Sequence, residues 1–214
     1  AHAMTTYAIL YPSLVTAFTV IASLEIAGRL KGAKGLFNWI AALPWKDPFF
    51  TSVALAMISF TFGGFGGAIN AAYAMNAMVH NTAWIMGHFH VTLGTTVTLS
   101  FMGATYWLLP RMLGRELRLP RLALIQPYLW FLGMTFFSTS YHIAGLRGLP
   151  RRVYSAALTG EYGAPWHTLT QTAAIGGVIL FLSALAYVIV VVATWTGGRR
   201  IDPPAIEFAV PLKP

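Results

Sequence analysis

The chain has 214 residues, 57% of them hydrophobic and only 9% charged, where an ordinary soluble domain carries about 25% charged residues; this is the composition of a membrane protein. Its formal net charge of +8 would suggest nucleic acid as the partner of a soluble chain. Here the basic residues fall in short links between apolar runs and form no stripe along a helix, so lipid is the expected surroundings and nucleic acid is not a partner. Cysteine is absent, which excludes disulfides, Cys-ligated zinc, iron–sulfur clusters and thiol nucleophiles and leaves His, carboxylate or thioether for any metal.

A membrane-spanning helix takes ~20 mostly apolar residues, and five runs meet that requirement: 4–30, 49–78, 81–109, 121–145 and 168–196. The expected fold is all-α, a single transmembrane helical domain over 1–214. The opening "AHAMTTYAIL" has neither a basic n-region nor a small-residue cleavage site, so it reads as the start of a helix and not as a signal peptide. In the first run Ser13, Thr16 and Thr19 recur every three residues and drift along one flank. Taken alone they fit helix packing or bonding back to a carbonyl.

The second run contains "GGFGG", Gly63 to Gly67, which lowers helix propensity and allows a kink or the close approach of something flat. The third contains "GHFH", Gly87 to His90, in an otherwise apolar stretch. Successive helical residues are ~100° apart, so His88 and His90 project ~200° from one another and cannot ligate one ion from a regular helix. A shared ion would want a spacing of three or four. A His on each flank instead serves two separate acceptors, and the natural large, flat, His-binding group inside a helix bundle is haem. His88 is expected ~7 residues into its helix, or ~10 Å deep.

Basic residues set the topology. Arg29, Lys31, Lys34 and Lys46 follow the first run, Arg111, Arg115, Arg118 and Arg121 lie between the third and fourth, and Arg199 and Arg200 follow the fifth. Alternation puts them all on one side, cytoplasmic by the positive-inside rule, with the N-terminus outside. Arg147, Arg151 and Arg152, in "GLRGLPRRVY" between the fourth and fifth runs, fall on the outer side against that rule. Haem propionates beside the buried His pair would give Arg151 and Arg152 a reason to be there. Trp84, Tyr106, Trp107, Trp166 and Trp195 sit near run ends, where an aromatic belt is the ordinary explanation, and His142 and His167 read as locally hydrogen-bonded. The Pro-rich end "IDPPAIEFAVPLKP" reads as a surface tail.

At these residues the sequence resembles subunit I of the haem–copper oxidase superfamily, in particular its B branch of terminal oxidases. "VHNTAWIMGHFHVTLGTTVTLSFMGATYWLLP", Val79 to Pro110, resembles the helix bearing both haem ligands. "GLRGLPRRVY" resembles the propionate-binding segment, and "PSLVTAFTVIASLEIAGRL", Pro12 to Leu30, resembles a proton-path helix. The resemblance covers nearly the whole chain and implies the C-terminal five-helix portion of a 12–13-helix subunit I, from a split gene or as a fragment.

The resemblance implies two haems. His88 is the expected proximal ligand of the high-spin haem where oxygen binds, His90 a ligand of the low-spin haem, and Phe89 lies between them. Arg151 and Arg152 are expected on propionates, with His80 and Asn81 beside those of the high-spin haem. Asn81 stands where many oxidases outside this branch have an Asp that helps hold magnesium, which argues against that site. Asn76 stands where B-branch enzymes often carry an Asp and cannot hold its negative charge. Ser13, Thr16 and Thr19 match the K-type proton path, where a hydroxyl both donates and accepts.

The family's CuB ligands and the second axial His of the low-spin haem precede this region, and no His-His or His-Pro-x-x-Tyr pattern occurs in the chain. The implied function is the C-terminal part of a respiratory terminal oxidase in a prokaryotic plasma membrane, reducing O2 to water with proton translocation. The implied partners are the N-terminal part of subunit I, a CuA-bearing subunit II, small hydrophobic subunits and a cytochrome c or cupredoxin donor, or quinol. Competing readings are a nitric-oxide reductase with non-haem iron in place of copper, a non-catalytic haem-binding structural or assembly subunit, and a transporter built on the second helix.

Overall fold

A computed structural model describes residues 2–154 and 160–201; the Pro-rich tail after Ile201 lies outside them. Its helices are α1 (His2–Leu30), α2 (Asn38–Ala41), α3 (Pro48–Ala71), α4 (Tyr73–Val79), α5 (Trp84–Phe89), α6 (Thr98–Leu113), α7 (Pro120–Leu146) and α8 (His167–Gly197). A π-helical run, His90–Val97, joins α5 to α6, and a 3-10 turn, Glu161–Trp166, leads into α8. There is no β-strand among the described residues.

Among the described residues four helices are long and apolar enough to cross a membrane: Ala3–Leu30, Pro48–Ala71, Pro120–Leu146 and Glu161–Gly197. The fifth expected crossing is composite, since α5, the π-helical run and α6 follow one another without a break from Trp84 to Leu113. The chain is therefore a multi-pass helical membrane protein.

Two boundaries differ from expectation. The second span stops at Ala71, because Ala72 turns extended (ψ 115°) before α4 begins, and Asn76 Nδ2 donates to Asn70 O at 2.7 Å across the break. No Gly or Pro marks it in the sequence. The third span starts at Trp84, because Asn81 is left-handed (φ 60°), a conformation that a right-handed helix cannot propagate. His88 is thus four residues into its helix, ~6 Å and not ~10 Å from its start. α3 is helical throughout, the GGFGG stretch included.

Elsewhere local chemistry and boundary agree. Asp47 caps α3 by accepting from Phe50 N–H at 2.7 Å, with Pro48 at the first helical position, where its missing N–H costs nothing. α6 ends on Gly114 in the left-handed conformation (φ 56°), the usual helix stop.

The π-helical run has an identifiable cause. Thr95, Thr96 and Thr98 hydroxyls donate to the carbonyls of His90, Val91 and Leu93, each five residues back. The Trp130 indole N–H on α7 takes the Gly94 carbonyl at 2.9 Å. Side-chain donors that compete for backbone carbonyls open the ladder.

Below this run α6, α7 and α8 are tied by a polar cluster. Gln126 of α7 is fully buried; its Nε2 donates to Ser183 Oγ of α8 at 3.1 Å, and its Oε1 accepts from Tyr106 OH of α6 at 3.0 Å. Ser183 Oγ returns a bond to Gln126 O at 2.8 Å. Satisfied polar groups of this kind hold helices in register where lipid removes the hydrophobic drive. By contrast only 6% of the most apolar window of α1 is buried, so most of its surface has no partner within this chain.

Candidate functional site

His88 and His90 meet different neighbours, as their spacing predicts. The His90 ring packs on Phe137 of α7 at 4.5 Å between centroids. Its Nδ1 lies 2.7 Å from Met86 O; a carbonyl only accepts, so the proton sits on Nδ1 and Nε2 keeps its lone pair. That tautomer suits a metal ligand. His88 lies instead between Trp84, stacked at 5.7 Å and 14°, and the backbone of α3. A Cβ at Gly66 would come 2.5 Å from His88 Nδ1, so the GGFGG stretch admits the imidazole. His88 Nδ1 is buried with no hydrogen-bond partner.

Two cavities border His88. One, of about 390 Å³, is a groove between α1, α3 and the ligand turn, edged by Ser13, Gly64, Gly67, His88 and Phe89. The other, of about 340 Å³, lies between α3, the π-helical run and α7 and includes His142. Both fall in the size range of small-molecule sites. A Cβ at Gly64 or Gly67 would meet nothing within 4 Å, so the flank of α3 over the groove is flat and open. A smooth glycine face, an apolar lining and an imidazole at its edge are the features a haem requires, and the residues present fit that group.

The turn bearing the His pair is held from one end. Ala83 N–H donates to Leu149 O and Arg151 N–H to Asn81 O, both at 2.8 Å, and Thr82 pairs with Pro150 between them. This short antiparallel clasp brings together the backbones of the two segments that carry Asn81 and the Arg151–Arg152 pair. Asn81 and Arg152 are both left-handed, at φ 60° and 62°. Asn tolerates that conformation; for Arg it is strained and persists only where surroundings enforce it. Neither Arg151 nor Arg152 forms an ion pair among the described residues. His80 lines a cavity of about 520 Å³ with Asn70 and Asn76.

The hydroxyls of α1 each donate four residues back: Ser13 to Ile9 O, Thr16 to Pro12 O and Thr19 to Val15 O, at 2.8–2.9 Å. Ser13 reaches the groove, while Thr16 and Thr19 are exposed on the unpartnered flank of α1. Each hydroxyl keeps its lone pairs for a further donor.

Three aromatics expected in a membrane belt are interior instead. Trp84, Tyr106 and Trp166 are 4%, 4% and 8% exposed: Trp84 packs under the clasp, Tyr106 binds Gln126, and Trp166 Nε1 donates to Arg147 O at 3.1 Å. Trp195 is exposed. His142, expected to be merely hydrogen-bonded, does bond Ser138 O at 2.7 Å, but it also stands edge-on to Trp84 at 4.9 Å and 85°. The signal missed was the pair Gly87 and Gly145, three residues beyond Trp84 and His142 respectively.

Comparisons with known proteins agree with this arrangement. The family described as Cytochrome C and Quinol oxidase polypeptide I matches residues 1–179. The chain is 48% identical over 163 residues to a cytochrome c oxidase subunit 1 of Thermus thermophilus, covering 75% of this chain and 29% of that one. It is 29% identical over 213 residues to the Bacillus sp. PS3 cytochrome c oxidase subunit 1, covering 94% and 33%. A heme-copper terminal oxidase solved as a dimer by cryo-EM superposes with a TM-score of 0.88 at 33% identity, covering 94% of this chain and 37% of that one. The chain thus spans about a third of the length of these relatives, and it belongs to the cytochrome c and quinol oxidase subunit I family.

Proposed function

We propose that this chain is the C-terminal, haem-holding portion of a B-branch respiratory terminal oxidase that reduces O2 to water with proton translocation. The observation that carries the reading is the ligand turn itself. One imidazole faces α3 and a glycine-walled groove, the other faces α7, and the clasp ties both to an arginine pair that forms no ion pair among the described residues. When bound, the haems supply the redox iron and the oxygen-binding position.

The chain's own residues hold and orient. His88 is the proximal ligand on the groove side and His90 the low-spin ligand on the α7 side, its Nδ1 proton fixed on Met86 O. Arg151 and Arg152 bind propionates through charge-assisted hydrogen bonds, beside Asn81 and His80. Ser13, Thr16 and Thr19 bring protons along the exposed flank of α1 to the groove that Ser13 edges. CuB, its three His ligands and the second axial His come from the N-terminal part of subunit I, which covers that flank. A CuA-bearing subunit II and small hydrophobic subunits complete the complex, with cytochrome c, a cupredoxin or quinol as donor. The clasp end faces outward in a prokaryotic plasma membrane, as does the N-terminus, and the C-terminus is cytoplasmic.

Optical and metal analysis of the purified complex tests this directly. Two haems and one copper per assembly are expected; absence of haem overturns the reading, and additional iron in place of copper favours a nitric-oxide reductase.

Two substitutions probe the parts separately. Gly64→Leu meets no protein atom at its Cβ but places a side chain in the groove, so it is expected to abolish high-spin haem while low-spin haem and folding persist. Retention of both haems would show that the groove is not the site. Thr16→Val keeps the shape of the side chain and removes the hydroxyl; it is expected to slow proton uptake on reduction at least tenfold with haem content unchanged. An unchanged uptake rate would remove α1 from the proton path.

A further inference from the structure

We propose that His142 is a positioning residue for His88, acting through the Trp84 indole. The inference rests on the haem-ligand reading of His88.

His142 lies on α7, away from the ligand turn, and none of the chemistry above uses it. Its Nδ1 donates to Ser138 O at 2.7 Å, which fixes the ring in rotation. The ring meets Trp84 edge-to-face at 4.9 Å and 85°, and Trp84 lies nearly parallel to His88 at 5.7 Å and 14°. Both separations fall within the range where aromatic pairs attract. Three rings from two helices therefore stand in series, anchored at one end by a backbone carbonyl and ending on the proposed ligand.

The glycines make this series rigid. A Cβ at Gly87 would come 2.7 Å from both His142 Nδ1 and Ser138 O, and a Cβ at Gly145 would fall on the Trp84 backbone. The large residue of each helix is seated over the glycine of the other, so α5 can neither rotate nor slide on α7 without a clash.

His88 needs such support more than His90 does. A metal-ligating His is normally oriented by a hydrogen bond from its second ring nitrogen. His90 has one to Met86 O, whereas His88 Nδ1 is buried and unpartnered. Its orientation is left to packing, with Gly66 on one side and Trp84 on another, and His142 borders the same cavity.

The test is resonance Raman spectroscopy of the ferrous high-spin haem in the purified intact oxidase. His142→Ala is expected to shift and broaden the iron–histidine stretching band while the low-spin haem bands keep their intensity. His142→Phe, which keeps a ring against Trp84, is expected to restore the wild-type band position. Trp84→Leu is expected to give the His142→Ala shift, and the double variant no more than Trp84→Leu alone. An unmoved band in His142→Ala, or additive shifts in the double variant, would overturn the proposal. If His142→Ala does not assemble, Trp84→Phe carries the same reading: a shifted band supports it and an unmoved one overturns it. A high-spin signal that survives His88→Ala overturns the ligand assignment instead, whatever the His142 variants do.

Discussion

His90→Ala is expected to abolish low-spin haem absorbance in the assembled oxidase and to leave the high-spin band, while His88→Ala does the reverse. The asymmetry follows from where each ring lies. His90 packs on α7 through Phe137 and presents a free Nε2 because Met86 O holds its Nδ1 proton. His88 borders the groove that Gly64 and Gly67 leave open. Neither ring can substitute for the other, since each would have to pass through the helix that carries both. Turnover should fall to background in both variants, His90→Ala by loss of electron entry and His88→Ala by loss of the oxygen site. Optical difference spectra of the reduced enzymes, with and without carbon monoxide, separate the two. If both variants keep both bands, the ligand assignment fails.

The second large effect is expected at a position with no chemistry of its own. Gly145→Ala places a Cβ on backbone atoms of Trp84, and backbone cannot rotate away as a side chain can. Overpacking of a close contact costs about 1–3 kcal/mol and sometimes more. Here the strain falls on the junction where α7 meets the clasp at Ala83 and Leu149, so loss of assembled haem should accompany a marked drop in thermal stability. Gly177→Ala on α8 is the matched control, because its Cβ would meet nothing within 4 Å; it should assemble normally. Equal stability of the two variants would mean that the α5–α7 contact is looser than described.

Much of this was legible in the sequence. Apolar runs separated by basic links gave the bundle of crossings, because burial in lipid acts on composition over ~20 residues. The one-residue gap between His88 and His90 gave their opposite neighbours. The breaks at Ala72 and Asn81 were not legible, since one is marked by no Gly or Pro and the other depends on a single dihedral. Nor could spacing show that Trp84 and Tyr106 turn inward. Their partners, His142 and Gln126, stand 58 and 20 residues further along the chain, and only packing of α7 on α5 and α6 brings them together. GGFGG serves close approach, since Cβ atoms at Gly63 and Gly66 would collide with Thr92 and His88, while α3 stays helical through it.

The π-helical run bears on how this crossing tolerates change. A wider turn advances by a different angle per residue than an α-turn, so Trp84–Phe89 and Thr98–Leu113 belong to one rod with two rotational phases. The ligand turn is keyed to α7 at one end, and Tyr106 to Gln126 at the other. Each phase is fixed by its own lock, and the run His90–Val97 absorbs the difference. Replacing a threonine there leaves the residue count, and hence both phases, intact. Deleting one residue would swing the two ends by about a quarter turn relative to each other, so that engaging either lock would disengage the other. In this segment the length of the chain is a stricter constraint than its composition.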